Sequence, residues 1–164
     1  GVNMALSTIG TNSIADDAVT AAKATGFGKI GQVQSASFND DISTNSSSVG
    51  ATVITDAITP TATSSKILIM IDGGRTSYSG GAAEGTYWLY RSVGGGSFAE
   101  VVRMKQSDNN QSGNYSHTHA FNYVHSPSTT SELVYKVYFN TNANTYFFNS
   151  SNSRITITLM EILA

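Results

Sequence analysis

The chain has 164 residues, a length that fits one domain with a short appendage. Charged residues make up only 12% of it, and the abundance of Ser, Thr, Asn and Gly is typical of an all-β protein with many turns. The net charge is −2 and the Lys and Arg residues are scattered, which argues against a basic stripe that binds nucleic acid. No apolar stretch is long enough to span a membrane. The absence of cysteine excludes disulfides and thiolate metal sites.

The composition changes near GFGK, residues 26–29. Residues 1–28 are rich in Ala, Thr and Asp, whereas aromatic and β-branched residues dominate afterwards. Within the first region, 13–24 predicts a short helix that Ser13 would cap. Its alanine face is too small to bury much alone, so the alternative is a frayed terminal arm. We therefore divide the chain into an N-terminal arm, 1–28, and a second domain, 29–164.

The second region predicts a series of short strands separated by turns. In chain order they are KIGQVQSASF (29–38), ATVITDAI (51–58), KILIMID (66–72), GTYWLYRSV (85–93), SFAEVVRMK (97–105), YSHTHAFNYV (115–124), a strand from Leu133 through Phe139, TYFFN (145–149) and RITITLMEIL (154–163). No helical segment lies between them, so a parallel α/β sheet is not expected. About eight to ten strands with regular turns predict a β-sandwich, jelly roll or small barrel.

The KILIMID strand is apolar on both faces. Ile69 and its alternate neighbours form one face, and Leu68 and Met70 form the other, before Gly73 and Gly74 end the strand. A strand of this kind must be covered twice, by its own core and by something else. The pattern therefore indicates a contact with another subunit.

A proline and a turn rich in hydroxyl residues precede the strand that begins at Leu133. Pro127 cannot donate to a strand ladder, so we expect it outside the strand, with Ser128–Ser131 as the turn and His125 as another turn residue. The alternation that follows places Leu133, Tyr135, Val137 and Phe139 on one face.

Two long stretches resemble a known family. YVHSPSTTSELVYKVYF (123–139), an Asn-rich gap and YFFNSSNSRITITLMEI (146–162) resemble the C-terminal domain of phage tail-fibre and virion-fibre proteins. IGTNSIADDAVTAAKATGFGKIGQV (9–33) is similar to segments that precede such domains in marine phage proteins. The resemblance covers nearly all the chain, although 39–50 and 73–114 carry little of it.

The resemblance implies a jelly roll of the tumour-necrosis-factor-like type, assembled as a homotrimer about a three-fold axis on the exposed surface of a virion. The arm would contact other virion proteins. Because the strands are rich in aromatic residues, we expect some tyrosines near the axis. The predicted trimer-interface residues are Leu68, Met70, Tyr135 and Phe147.

Candidate chemistry in the sequence is sparse. His117 and His119 lie on one face of a strand, so three copies would offer six imidazoles to a transition metal; the alternative is two half-exposed strand histidines. Glu161 interrupts an apolar face and needs a partner, which Arg154, Lys136 or another subunit could supply. No nucleophile motif or phosphate loop occurs, so we expect no enzyme and no cofactor.

Three polar loops are the candidates for ligand binding. They span 75–85, 107–114 and 140–144 and combine Tyr, Ser, Asn and Gly, which suits adaptable hydrogen bonding to sugars. The alternative is that they are merely solvated. The predicted receptor-binding residues are Tyr78, Ser79, Asn109, Asn110, Asn142 and Asn144.

These observations favour a non-enzymatic phage fibre or spike subunit that recognises a host-surface glycan without inserting into a membrane. A capsid decoration or head-fibre protein of the same fold is the alternative. A polysaccharide-cleaving spike is a third possibility, which would need two carboxylates flanking a sugar site.

Overall fold

The structure, a computed structural model, describes residues 29–79, 84–105, 117–148 and 153–163. These residues form ten β-strands and no helix. In chain order the strands are β1 (Lys29–Phe38), β2 (Ile42–Thr44), β3 (Ala51–Ile58), β4 (Lys66–Ser79), β5 (Gly85–Val93), β6 (Ala99–Lys105), β7 (His117–His125), β8 (Leu133–Thr141), β9 (Thr145–Phe148) and β10 (Ile155–Leu163). Within the described ranges, no helix could cross a membrane. The predicted arm and its helix, 1–28, lie outside these ranges.

The strands form two antiparallel sheets around one core. The six-stranded sheet has the order β1-β10-β4-β9-β2, with β7 paired to β4, and the four-stranded sheet has the order β3-β8-β5-β6. The final strand, β10, lies between β1 and β4 in the middle of its sheet. The predicted all-β antiparallel sandwich is therefore confirmed, and its jelly-roll course stays a prediction.

The core follows from the two-residue period of the strands. Residues at alternate positions point to the same face of a sheet, so each strand contributes every second side chain to the interior. The sequence places Leu133, Tyr135, Val137 and Phe139 on one face of their strand, and in the structure that face is buried. Among the described residues, the hydrophobic core also contains Ile58, Ile67, Ile69, Ile71, Tyr87, Leu89, Tyr146, Phe148, Ile155, Ile157 and Leu159.

Strand β4 is longer than the sequence predicts. The two glycines expected to end it instead form an irregularity inside it, where both have positive φ angles of 87° (Gly73) and 72° (Gly74). The Gly74 N–H donates to the Arg154 carbonyl at 2.7 Å. This bulge changes which alternate positions face the core: Ile71 is buried before it and Thr76 after it. The strand therefore continues to Ser79 instead of ending at Asp72.

Two further differences are smaller. Strand β2 lies within a Ser- and Asn-rich stretch that the sequence suggests is a loop, and it forms by pairing Ile42–Thr44 with β9. Three residues are too short for a pattern to identify. His125, expected in a turn, is the last residue of β7 and pairs with Ile67.

Replacing Gly73 by Ala should destabilise the sandwich strongly. A Cβ at this position would overlap the Arg154 carbonyl oxygen, in addition to the strain of the positive φ. Gly95 is a matched control, since its φ is 77° but a Cβ there meets nothing within 4 Å. We expect urea denaturation to give a loss of about 3 kcal/mol or more for Gly73→Ala and about 1 kcal/mol for Gly95→Ala. Equal losses would contradict the packing at Gly73.

Candidate functional site

One end of the sandwich receives the chain from the N-terminal arm. Lys29, the first described residue, pairs with Leu163 near the end of β10. Lys66, where β4 begins, lies at the same end because it pairs with Ile162. The connection 59–65 between β3 and β4 therefore also lies there. We call this the arm end.

At the opposite end lie the strand ends that flank the three loops predicted to bind a ligand, and we call it the loop end. Strand β4 finishes there and β9 begins there, because Ser79 pairs with Thr145. Strand β8 finishes there and β5 begins there, because Gly85 pairs with Thr141. The adjoining ends of β6 and β7 lie at the same end. The sequence predicts these loops separately, and the topology brings the strand ends that flank them together.

Four of the six predicted receptor-binding residues are placed at this end. Tyr78 and Ser79 correct the prediction of a loop over 75–85, because they are the last two residues of strand β4. Asn109 and Asn110 lie outside the described residues. Asn142 fixes its loop to the residue before β5: its N–H donates to the Glu84 carbonyl at 3.1 Å, and its side-chain oxygen accepts the Glu84 N–H at 2.8 Å. Asn144 has a φ of 58°, a conformation that Asn tolerates better than most residues.

The outer face of the six-stranded sheet carries an apolar patch. Pairing places Val33, Met160, Leu68 and Val124 in one row across β1, β10, β4 and β7. The side chains of Val33 and Val124 are 51% and 49% exposed. We call the whole set the outer patch; its members are Ile30, Val33, Leu68, Met70, Val124, Met160 and Ile162.

The four predicted interface residues separate into three groups. Leu68 and Met70 belong to the outer patch, and Met70 is 41% exposed. Phe147 lies on β9, opposite Ser77 of β4, nine residues beyond Leu68 along that strand, so it is remote from the patch. For Tyr135 the prediction is corrected: its side chain is 0% exposed in the core of the single chain, so it has no surface to offer a partner.

The histidine pair occupies the beginning of β7. His117 lies opposite Thr76, and His119 lies opposite Gly73. No group of three or more His, Asp or Glu residues arranged to hold a metal ion occurs in the described part of the chain. A metal shared among three copies stays a prediction.

Glu161 is completely buried near the arm end, and its partners are neutral. Its Oε1 accepts the Thr61 N–H at 2.6 Å and the Thr61 hydroxyl at 2.8 Å. Its Oε2 accepts from Gln32 Nε2 at 2.8 Å, and the same nitrogen is 2.6 Å from the Thr59 carbonyl. The carboxylate therefore ties the 59–65 connection to β1 and β10. The sequence predicts the need for a partner but not these residues, which lie far from Glu161 along the chain.

The pKa of Glu161 reflects this network. Burial by itself raises the pKa of the carboxyl, but hydrogen bonds from Gln32 and Thr61 outweigh burial and lower the pKa to about 2. The Ser65 hydroxyl adds to the lowering without full hydrogen-bond geometry. The group is therefore ionised in the folded protein at neutral pH, and its role is structural.

A polar layer that the sequence does not predict crosses the core near the arm end. Pairing places Asp56, Tyr135 and Arg91 in one row, and His125 Nδ1 lies 2.7 Å from the Tyr135 hydroxyl. Burial, and then the charge of Arg91, lower the pKa of His125 to about 4. Burial also raises the pKa of Tyr135. Both rings of the pair are therefore neutral at neutral pH.

No protein-family model and no curated protein matches the sequence. Among solved structures, that of the infectious bursal disease virus Gt strain has a TM-score of 0.41 and 10% identity, covering 82% of this chain and 41% of that chain. The crystal structure of the infectious bursal disease virus VP2 subviral particle has a TM-score of 0.39 and 13% identity, covering 81% and 41%. This chain thus spans about two fifths of the length of those proteins. A likeness at this level says nothing of what the chain does.

Replacing Glu161 by Gln should destabilise the protein at neutral pH. Both Glu161 oxygens accept hydrogen bonds, so the NH₂ group of a Gln side chain would face the N–H or O–H donors of Gln32 or Thr61 and could not accept from them. Because the folded pKa of about 2 lies below the ordinary value of 4.5, the carboxylate contributes stability above about pH 4.5 that is lost as the pH falls toward 2. We expect a loss of about 2–3 kcal/mol at pH 7 that shrinks over this window, measured by urea denaturation.

The exposed Glu132 provides the control for this experiment. Glu132→Gln should change the free energy of unfolding by less than about 0.5 kcal/mol across the same pH range. A Glu161→Gln protein as stable as the Glu132→Gln protein at pH 7 would contradict the buried network.

Proposed function

We propose that the chain is a non-enzymatic virion protein, a subunit of a phage fibre or spike. It joins the particle through residues 1–28 and presents its loop end to a glycan of the host surface. The observation that carries this proposal is that two features lie at opposite ends of the sandwich. The chain enters from the arm at Lys29 at one end, and the strand ends that flank the three predicted binding loops lie at the other.

The distance between the two ends determines how far a bound ligand lies from the attachment surface. Strands of nine residues, at about 3.3 Å each, separate the two ends by roughly 30 Å. A ligand at the loop end is therefore kept away from the surface to which the arm attaches. Loops on a rigid scaffold are also where binding residues concentrate in proteins, and Asn142 already holds its loop against Glu84.

The outer patch supports assembly with further copies of the same chain. Several large aliphatic side chains share one face, including Ile30, which is 53% exposed, while polar pairs such as Ser37 and Thr156 lie farther along the sheet. Contiguous exposed apolar surface of this kind marks association sites. Three copies about an axis, each contributing its six-stranded sheet, would cover Leu68 and Met70 and so provide the second covering that β4 requires.

The course of the chain supports a jelly roll for this subunit. From β2 to β9, every connection except the β5–β6 hairpin passes from one sheet to the other. The central orders are β1-β10-β4 beside β7, and β3-β8-β5-β6. Strands distant in sequence thus become neighbours, as a jelly roll requires.

Replacing Met70 by Lys should dissociate the trimer without unfolding the chain. Each copy would bring a charge into the apolar seam, so light scattering should give three chain masses for the original protein and one for the variant at micromolar concentration. The dissociation constant should rise about 100-fold or more. Val93→Lys is the matched control, since Val93 is 38% exposed but lies outside the outer patch. A variant at Met70 that remains trimeric would contradict this seam.

Removal of residues 1–28 should leave a folded trimer that no longer joins the particle, because the outer patch is retained and the attachment segment is lost. Light scattering and circular dichroism would check the assembly, and the protein content of purified virions would check incorporation, with the full chain as control. Incorporation of the truncated chain would contradict the role of the arm. Normal incorporation of the full chain without any host-glycan binding would favour a decoration protein instead.

A further inference from the structure

The outer face of the four-stranded sheet is unusually aromatic. Trp88 and Tyr138 are paired across β5 and β8, and Tyr90 meets Tyr138 edge-to-face with ring centroids 5.1 Å apart. Phe98, just before β6, adds a second edge-to-face contact to Tyr138 at 6.3 Å. All four rings are half-buried. We call these four residues the aromatic face.

Two cations lie on this face, each over a ring. The Arg103 guanidinium carbon is 4.6 Å from the centre of a Trp88 ring, and Lys136 Nζ is 4.2 Å from the centre of the Phe98 ring. A guanidinium that stacks on a ring keeps its N–H donors free for a carboxylate in the ring plane. Within the described part of the four strands, Glu100, opposite Tyr90, is the one carboxylate on this side.

The tryptophan is held in place by an amide. Trp88 Nε1 donates to the Asn140 side-chain oxygen at 3.1 Å, and Asn140 Nδ2 donates to the Ser47 carbonyl at 2.7 Å. The indole therefore has a fixed orientation before any ligand arrives. Such preorganisation lowers the entropy that binding must overcome.

The spacing of the cations favours a polymer over a single ion. Arg103 and Lys136 lie on β6 and β8, with β5 between them, so their backbones are about 10 Å apart. Each charged group lies over its own ring, Arg103 over Trp88 and Lys136 over Phe98, so each is placed to take a separate carboxylate, as successive acidic residues of a chain provide. Two cations beside Glu100 are too few to neutralise a nucleic-acid backbone. The rings supply apolar surface for the C–H groups of sugar rings, and the tyrosine hydroxyls can bond to sugar hydroxyls.

We propose that the aromatic face binds an acidic polysaccharide, with its carboxylates at Arg103 and Lys136 and its sugar rings against Trp88 and Tyr138. This inference rests on the proposed function insofar as the ligand is a host glycan. It adds a contact on a sheet face to the one proposed at the loop end, and it specifies uronic-acid polymers as the ligand class of that face.

Trp88 is the single tryptophan of the chain, so its fluorescence reports on this face alone. The full chain is titrated with oligomers of alginate, polygalacturonate and hyaluronate, with dextran as the neutral sugar and polyglutamate as the polyanion without sugar. We expect a saturable change with at least one uronate polymer and none with dextran or polyglutamate. Calorimetry of the same samples checks that the optical change is binding.

Charge variants identify the site. Arg103→Gln and Lys136→Gln should each weaken uronate binding about tenfold, whereas Glu100→Gln should strengthen it because a repulsive charge is removed. Arg154→Gln is the matched control, since Arg154 is exposed on the segment before β10 of the other sheet. Its midpoint should equal that of the original chain.

The contrary outcomes are equally definite. If polyglutamate binds as tightly as the uronate polymers, the face recognises negative charge alone. If none of the three uronate polymers binds, uronic-acid polymers are excluded as the ligand class. Either result overturns the proposal. Uronate binding that neither Arg103→Gln nor Lys136→Gln weakens would place the ligand elsewhere, overturning this inference while leaving the proposed function intact. If the chain without residues 1–28 still joins the particle, the proposed function is contradicted, but the polysaccharide titration can still be interpreted.

Discussion

Strand β4 is the element on which the rest of the sandwich depends, because it is paired along both edges. Leu68, for example, faces Met160 on one side and Val124 on the other. Farther along, the same strand leaves β10 and pairs with β9. The change of partner is possible because two glycines adopt positive φ angles and let the strand bend without ending. Removing this bend would separate the β9–β2 extension from the rest of the sheet.

The period-two strands were predictable, and their physical reason is simple. A half-buried strand must alternate, so β3 and β5 begin and end where the sequence predicts, and the four residues that the sequence places on one face of β8 share one buried face. The assignment of Tyr135 to the subunit interface was wrong because an aromatic residue suits a core and a subunit interface equally well. The extension of β4 was missed because paired glycines usually signal a turn.

Long-range polar partners could not be predicted at all. Glu161 signals a buried charge that needs compensation, yet its donors Gln32 and Thr61 are distant in sequence and carry no charge. The partners of this carboxylate in the described part of the chain are an amide, a hydroxyl and a backbone N–H group. The same holds at the loop end, where Asn142 bonds to the backbone of Glu84. Only the folded topology brings such groups together.

The layering of the two sheets has a consequence for binding strength. In a trimer whose six-stranded sheets face the axis, the four-stranded sheets necessarily face outward, so the aromatic face is displayed in three copies. A polysaccharide long enough to reach two copies binds the second at an effective concentration set by its own length and stiffness. Although the contact at each Trp88 is weak, a polysaccharide bound to two copies would dissociate slowly. A short fragment of the same polymer would leave quickly, so the assembly would discriminate ligands by length as well as by charge.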